Sequence, residues 1–231
     1  MAHKKTPFQK TERKLIAHTN PKSPIAEQYR TIRTNINFSL VDRELRSLLV
    51  TSAGPVEGKS TTAANLAIVY AQQKKRVLLV DADMRRPTIH YTFHLVNASG
   101  LTTVMTGKAP LKKAVQQSKV KNLDILTCGP IPPNPAEMLS SQAMMNFFTD
   151  AYELYDLVIF DTPPVLAVTD AQVLADKCDG TVLVVSSGKT DMEEAIKTKE
   201  LIAATKTKLL GVILNNKKML NENYYHYYGV E

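Results

Sequence analysis

The sequence predicts an α/β fold in which a parallel β-sheet is flanked by helices. Six segments after residue 46 are nearly continuous in apolar and β-branched residues, as buried parallel strands are. These segments are residues 47–53, 76–83, 123–128, 156–162, 180–187 and 208–215. Helical segments lie between them, and this alternation of strands and helices is typical of a parallel sheet covered on both faces.

Five helices are predicted around these strands. They span residues 23–40, 59–75, 135–155, 169–178 and 191–206. Pro135 and Glu137 suit the first turn of the helix over 135–155. The segment 23–40 precedes the first strand and is expected to lead into the domain.

Composition indicates an ordinary globular protein. The chain has 231 residues, of which 44% are apolar and 22% charged, and this length is sufficient for a sizeable core. Cys128 and Cys178 have no metal-ligand spacing around them, which favours free thiols in a reducing cytosol. No apolar run reaches about 18 residues, and the lysines of the amino terminus are not followed by the apolar stretch of a secretory signal. We therefore expect a cytoplasmic protein.

The net charge of +7 is concentrated at the amino terminus. Residues 1–22 contain six basic residues against Glu12 alone, a net charge of +5. The six are Lys4, Lys5, Lys10, Arg13, Lys14 and Lys22. This pattern predicts either a solvated terminus or an arm that meets an anionic membrane surface or an acidic partner. We therefore divide the chain into a basic arm (1–22), one domain (23–218) and a carboxy-terminal tail (219–231).

A phosphate-binding loop is predicted after the first strand, where TSAGPVEGKSTTAANLA leads into a helix. Residues 53–60 match the pattern x-x-x-x-x-G-K-[ST], although Ala53 stands where glycine is usual. Backbone amides of such a loop cradle phosphate oxygens, and the positive end of the helix faces the same anion. The expected nucleotide-binding residues are Gly54, Pro55, Val56, Glu57, Gly58, Lys59, Ser60 and Thr61.

Three residues of this loop have distinct expected roles. Gly58 lets the backbone approach the phosphate, Lys59 reaches the β- and γ-phosphates, and Ser60 offers its hydroxyl to Mg²⁺. ATP and Mg²⁺ are therefore the expected cofactors. A second GKT, within SSGKT at 186–190, lacks a glycine-bearing loop of the right length before it. We interpret that segment as a turn at the end of a strand.

Carboxylates follow two of the predicted strands. VLLVDADMRRP brings Asp81 and Asp83 to one face at the end of the second strand, and LVIFDTPP brings Asp161 to a similar place. Ligands of open parallel sheets bind at the carboxyl ends of the strands. Three carboxylates beside a phosphate loop therefore indicate a metal shell and a catalytic base.

Three further positions are open to more than one interpretation. Asn215, at the end of the last strand, either bonds an adenine edge or is an ordinary turn asparagine. Arg85 and Arg86 follow the two aspartates, and they either contact phosphate or are simply exposed.

The motifs together resemble those of the bacterial tyrosine kinases (BY-kinases), which control exopolysaccharide and capsule synthesis. The motifs that carry the resemblance are DADMR at 81–85, GKSTTAANLA at 58–67, VIFDTPPVLAVTDA at 158–171 and a tyrosine-rich tail. Over nearly its whole length the chain is similar to the separate cytoplasmic kinase subunit of Gram-positive bacteria. The resemblance implies a P-loop NTPase fold of the deviant Walker ATPase type and transfer of phosphate from ATP to protein tyrosine.

The resemblance also implies roles for the carboxylates. Asp81 is expected to accept the tyrosine proton, and Asp83 and Asp161 are expected to support Mg²⁺ together with Ser60. Lys59, Asp81 and Asp83 are thus the expected catalytic residues. From the sequence alone, the roles of Asp81 and Asp83 are exchangeable.

The same resemblance also implies a subunit interface and several partners. Glu27, Arg30 and Arg33 form E-x-x-R-x-x-R, which in the family belongs to the subunit interface of a ring-shaped homo-oligomer. The spacing also suits an ordinary ladder of surface ion pairs. The family further implies a membrane-anchored adaptor that activates the kinase, other protein substrates, and recruitment to the inner face of the membrane through that partner.

Two positions depart from related patterns. The family often has glycine where this chain has Val56, which predicts a less flexible loop. The related partitioning and division-placement ATPases carry a lysine where Gly54 stands here. The absence of that lysine favours the kinase branch over those switches.

The carboxy terminus crowds four of the nine tyrosines into NENYYHYYGVE. They are Tyr224, Tyr225, Tyr227 and Tyr228, the expected acceptors of autophosphorylation. The main alternative is a non-kinase ATPase switch, which has no use for such a tail. A nucleic-acid-binding module is disfavoured, and no nucleic-acid partner is expected, because the tail has no lysine or arginine beyond Lys218 to interleave with its aromatic rings.

Overall fold

The computed structural model describes residues 14–40 and 44–218. Within them, seven strands form one sheet in the order β3-β4-β2-β5-β1-β6-β7. The strands are β1 (Ser47–Ser52), β2 (Val77–Asp81), β3 (Gln116–Gln117), β4 (Leu123–Leu126), β5 (Leu157–Asp161), β6 (Gly180–Ser186) and β7 (Lys208–Asn215). The six predicted strands are confirmed and pair in parallel. The unpredicted β3 is antiparallel to β4, and its two polar residues carry no strand pattern.

Ten helices lie in the described part of the chain. They are α1 (Ile16–Thr19), α2 (Pro24–Phe38), α3 (Lys59–Ala71), α4 (Ile89–Phe93), α5 (Leu101–Met105), α6 (Leu111–Ala114), α7 (Pro135–Ser140), α8 (Gln142–Leu154), α9 (Asp170–Ala175) and α10 (Met192–Ala203). The predictions of α2, α3, α9 and α10 are confirmed. Helices α1, α4, α5 and α6 were not predicted, because four or five residues are too short to show helical periodicity.

The prediction of one continuous helix over residues 135–155 is wrong. Helix α7 ends at Ser140 and α8 begins at Gln142, and Ser141 between them is extended, with φ −72° and ψ 165°. The Ser141 hydroxyl donates to the Met138 carbonyl at 2.7 Å, so a side chain competes for a backbone acceptor and ends the helix. The predicted start is confirmed, since Pro135 is the first residue of α7.

The sheet separates two apolar layers. In β5, Val158 and Phe160 face the layer that contains α8, whereas Leu157 and Ile159 face the layer that contains α3. This alternation is the ordinary two-residue period of a strand. Both faces of β5 are therefore buried, which explains why its first four residues are all apolar and confirms the prediction of helices on both faces.

Helix α3 is buried along nearly its whole length and supports the amino-terminal segment. The Ala17 N–H of α1 donates to Asn65 Oδ1 at 2.9 Å, and Gln72 Nε2 donates to the Ala17 carbonyl at 2.9 Å. Residues 16–19, which belong to the basic amino-terminal segment, are thereby attached to the domain. In the two described ranges, every helix is too short or too polar to cross a membrane.

Candidate active site

The phosphate-binding loop connects β1 to α3 at the carboxyl edge of the sheet. Gly58 is the cap residue before α3 and has φ 96°, a conformation that favours glycine. A Cβ atom built on Gly58 would come within 2.0 Å of Asn215 Nδ2. Gly58 is therefore required twice, by its backbone angle and by the close approach of the last strand.

Val56 occupies the outer part of the loop in a strained conformation. Its φ is 62°, in the left-handed region that β-branched residues rarely adopt, and its side chain is 81% exposed. A glycine adopts this angle without strain. The strain shows that the surrounding contacts, rather than local preference, hold the loop in shape.

Those contacts come from Glu57, which is only 2% exposed. Glu57 Oε2 accepts from the Ala53 N–H at 3.1 Å, and Oε1 accepts from the Thr190 hydroxyl at 2.7 Å. The Glu57 carbonyl accepts from Asn215 Nδ2 at 2.9 Å. Lys189 Nζ donates to the Pro55 carbonyl at 2.8 Å. The loop is thus held from its outer side by the turn after β6 and by the end of β7.

Sequence reasoning missed this support. The segment 186–190 is a turn at the end of β6, so that prediction is confirmed. Its second GKT contributes Lys189 and Thr190, which bond Pro55 and Glu57 at the back of the loop. The only sequence signal was the motif itself, and no spacing rule links it to Glu57, about 130 residues earlier in the chain.

The three predicted carboxylates meet Lys59 at the strand ends. Lys59 Nζ lies 2.9 Å from Asp83 Oδ2 and 3.8 Å from Asp161 Oδ1. Asp81 is paired with Asp161 in the register of β2 and β5, and all three carboxylates are at most 5% exposed. Burial opposes the charged form of Lys59, but Asp161 and Asp83 outweigh it and raise the pKa of the ammonium group.

Asp81 has an asymmetric environment. Its Oδ2 accepts from the backbone N–H groups of Thr88 and Ile89, both at 2.9 Å. Its Oδ1 is buried and has no hydrogen-bond partner among the described residues. Burial, together with the nearby charge of Asp161, raises the pKa of Asp81 to about 7 against the opposing effect of the two backbone donors. A cation beside this carboxylate would favour its charged form.

The site fits a magnesium ion held partly by nucleotide. Asp83, Asp161 and the Ser60 hydroxyl offer hard oxygen ligands within 3.8 Å of Lys59 Nζ, and the orphaned Asp81 Oδ1 adds another on the strand beside Asp161. No group of three or more acidic, histidine or cysteine side chains in the described part of the chain forms a ready-made metal cage. Magnesium commonly takes only one or two carboxylates and completes its shell with water and phosphate oxygens.

The two arginines after Asp83 have different surroundings, which do not indicate one shared phosphate site. Arg85 forms a bidentate ion pair with the fully buried Asp170, through Nε at 2.9 Å and Nη2 at 3.0 Å. This hydrogen bonding raises the pKa of Arg85. Arg86 contributes its backbone N–H to Asp83 Oδ1 at 3.0 Å, while its side chain is exposed. Asp170, which sequence reasoning missed, lies at the end of the motif VIFDTPPVLAVTDA.

The predicted interface residues contact their own chain. Glu27 Oε2 and Arg30 Nη1 form an ion pair at 2.6 Å on α2, and Arg33 Nη1 donates to the Val69 carbonyl of α3 at 2.6 Å. Arg33 Nε is buried and lacks a hydrogen-bond partner among the described residues. Their role between subunits stays a prediction. The four tail tyrosines lie outside the described residues.

A phosphate loop whose lysine is held between two buried aspartates defines a P-loop nucleotide-binding protein. The sequence profile of a family described as an AAA domain matches residues 51–210. The chain is 57% identical over 231 residues to the tyrosine-protein kinase YwqD of Bacillus subtilis, spanning 100% of this chain and 98% of that protein. It is 42% identical over 216 residues to the putative tyrosine-protein kinase CapB of Staphylococcus aureus, spanning 93% and 95%.

A solved structure gives the same result. The crystal structure of the chimerical protein CapA2B2 superposes with a TM-score of 0.86 and 46% identity, covering 89% of this chain and 90% of that one. The chain belongs to the bacterial tyrosine kinases. It is a protein-tyrosine kinase with a P-loop NTPase fold, as the sequence motifs predicted.

Proposed function

We propose that this kinase uses ATP and Mg²⁺ to phosphorylate the tyrosines of its own carboxy-terminal tail, and that it thereby regulates exopolysaccharide or capsule synthesis. The observation that carries the proposal is the meeting of Lys59 with Asp83 and Asp161, beside Asp81, at the end of the phosphate loop. Kinase activity on tyrosine requires an accessible acceptor. The sequence offers a cluster of four: Tyr224, Tyr225, Tyr227 and Tyr228.

In the transfer step, the phenolic oxygen of a tail tyrosine forms a bond to the γ-phosphorus of ATP. The bond from that phosphorus to the β–γ bridging oxygen breaks, and ADP leaves with the electron pair. The phenolic proton passes to Asp81. The Asp81 Oδ1 has no hydrogen-bond partner among the described residues and therefore supports Asp81 as the base, whereas Asp83 accepts from the Arg86 N–H and is assigned to Mg²⁺.

The cofactors are assigned to the same edge of the sheet. Residues 54–61 surround the phosphates and donate to them through the backbone N–H groups that all of them except Pro55 carry, and Lys59 exchanges its contact with Asp83 for the phosphate oxygens. Ser60, Asp83 and Asp161 hold Mg²⁺, which when bound neutralises charge on the phosphates. Asn215 remains the candidate for the adenine edge, since it lies beside the loop and bonds it through one amide N–H.

The proposal includes an assembly. Glu27, Arg30 and Arg33 contribute to contacts between subunits of a homo-oligomeric ring, and the side chain of Glu27, which is 63% exposed, is accessible to a partner. A membrane-anchored adaptor activates the kinase and recruits it to the inner face of the membrane. Each added phosphate brings about −1.5 to −2 charges, so a modified tail repels neighbouring tails and loosens the ring.

The test uses the full chain, purified from a host that has no other tyrosine kinase and incubated with γ-labelled ATP and Mg²⁺. We expect label on the tail, and loss of that label when the four tail tyrosines are replaced by phenylalanine. Tyr91→Phe is the matched control, because Tyr91 is 52% exposed on α4 and lies outside the tail. Hydrolysis of ATP without labelled tyrosine would instead indicate an ATPase switch.

A further inference from the structure

A pocket of about 520 Å³ lies at the edge of the sheet opposite the active site. It is formed by α1, the end of α3 and the segment that precedes β4. Ala71 and Val120 form its buried floor. Its rim carries the exposed side chains of His18, Lys74, Lys119 and Lys121. The strands β2 and β4 begin beside it and end at the nucleotide edge.

The walls of this pocket are held by hydrogen bonds within the protein. Gln72 Nε2 bonds the Ala17 carbonyl of α1 at 2.9 Å, and Asn122 Nδ2 bonds the Ala71 carbonyl of α3 at 3.4 Å. The Asn122 carbonyl accepts from the Val77 N–H at 2.9 Å, which fixes the same turn to β2. The concave shape therefore exists without any ligand, and its cations are presented on a fixed frame.

The charge of the pocket is positive and uncompensated. Three lysines and a histidine line it, and no aspartate or glutamate is among the described residues around it. None of these lysines forms an ion pair within the described residues, in contrast to Lys59 and Lys206, which lie against aspartates. A concave surface of unpaired cations is a site for an anion.

The chain that enters the fold beside this pocket adds further positive charge. The Lys14 carbonyl accepts from Asn65 Nδ2 at 3.2 Å, two turns of α3 before the pocket. The preceding thirteen residues contain Lys4, Lys5, Lys10 and Arg13 against Glu12. The pocket and the preceding segment together carry more positive charge than is needed to bind one small anion. No aromatic ring of Phe, Tyr or Trp lines the pocket, so it offers no platform for nucleic-acid bases.

We propose that this face binds an anionic phospholipid surface directly, with a phosphate headgroup in the pocket. A membrane is an extended plane of negative charge, which can meet all the lysines on the rim of the pocket at the same time. Binding in this orientation leaves the nucleotide edge facing away from the lipid. The contact is made by the kinase chain itself, in addition to recruitment through an adaptor, and it does not depend on catalytic turnover.

The test is co-sedimentation of the full chain with vesicles of phosphatidylcholine, with and without phosphatidylglycerol. We expect binding only to the vesicles that contain phosphatidylglycerol, and weaker binding as salt is raised. The triple variant Lys74→Gln, Lys119→Gln and Lys121→Gln should bind about a hundredfold more weakly, because each lysine near an anionic surface contributes about fivefold. ATP turnover and the melting temperature verify that the variant is folded.

The matched control replaces Lys108, Lys112 and Lys113 by glutamine, which removes the same charge from exposed positions outside the pocket. This control should bind within a few-fold of the wild type. Equal losses in both triple variants would show a general charge effect and overturn the pocket. The proposal would also be overturned if the pocket variant bound the vesicles as tightly as the wild type does. It would be overturned as well if the protein bound duplex DNA through the pocket and did not bind vesicles.

Discussion

Replacing Thr190 by valine tests the support of the phosphate loop. The exchange keeps the shape of the side chain and replaces its hydroxyl by a methyl group. It removes the 2.7 Å hydrogen bond to Glu57 Oε1 and also the acceptor for the Ser186 N–H at 2.8 Å. Glu57 keeps its bond to the Ala53 N–H, so the carboxylate loses one of its two partners without losing its place.

The expected loss in the free energy of unfolding follows from the burial of Glu57. Its carboxylate is 2% exposed, so water does not readily replace the lost donor. A hydrogen bond to a charged group contributes about 1.5–3 kcal/mol. For a chain of this size, about 2 kcal/mol corresponds to a fall of about 4–8 °C in the melting temperature. Because the strained Val56 depends on the same support, the loop should also bind ATP less well.

The assay compares Thr190→Val, Thr190→Ser and Thr149→Val by thermal unfolding and by kinase kinetics at varied ATP. Thr190→Ser retains the hydroxyl and should restore both stability and KM for ATP. Thr149→Val removes a hydroxyl that bonds only the Met145 carbonyl on the exposed face of α8, and it should change little. A lower melting temperature with an unchanged KM would show that Thr190 stabilises the fold without positioning the loop.

Three further changes test the site and the assembly. Gly58→Ala should lower the free energy of unfolding by at least about 1–2 kcal/mol and weaken ATP binding in calorimetry, since the φ of Gly58 is 96° and a Cβ would lie 2.0 Å from Asn215 Nδ2. The control is Gly107→Ala, which should leave ATP binding unchanged, because Gly107 has a φ of 70° but open space around it. Replacing Arg30 and Arg33 by alanine should convert the ring into smaller species in light scattering, and an unchanged mass would leave them as residues of one chain. An Asp81→Ala chain with an intact tail, mixed with an active chain that lacks the tail, should acquire phosphotyrosine; its absence in a co-assembled, ATP-hydrolysing mixture would mean that each tail serves its own site.

The central part of the fold was predictable because its buried strands have recognisably apolar local sequences. Strands covered on both faces are largely apolar, and β2 and β5 are apolar from their first residue up to the aspartate that ends each of them. The break at Ser141 was not predictable in the same way. The residues on either side continue a helical pattern, and a single hydroxyl that bonds Met138 decides where the helix stops.

Some residues of the candidate site could also be predicted from the sequence, and others could not. Lys59, Asp81 and Asp161 were predictable because strand ends in a parallel sheet bring them to one edge whatever the rest of the chain does. Thr190 and Asp170 were not, since each acts through a partner, Glu57 or Arg85, that lies far away in the sequence. Such pairings depend on side-chain packing in three dimensions, which no local pattern encodes.

The most direct test of the account is the intact mass of the protein after incubation with ATP and Mg²⁺, with the phosphorylated residues located by peptide mapping. The wild type, from a host without other tyrosine kinases, should gain phosphate only within residues 219–231. Lys59→Met should gain none while its circular dichroism stays that of the wild type, because Lys59 serves the phosphates and its ammonium group bonds, among the described residues, the site residues Ser60, Asp83 and Asp161. Phosphotyrosine in the folded Lys59→Met protein would contradict the assigned active site.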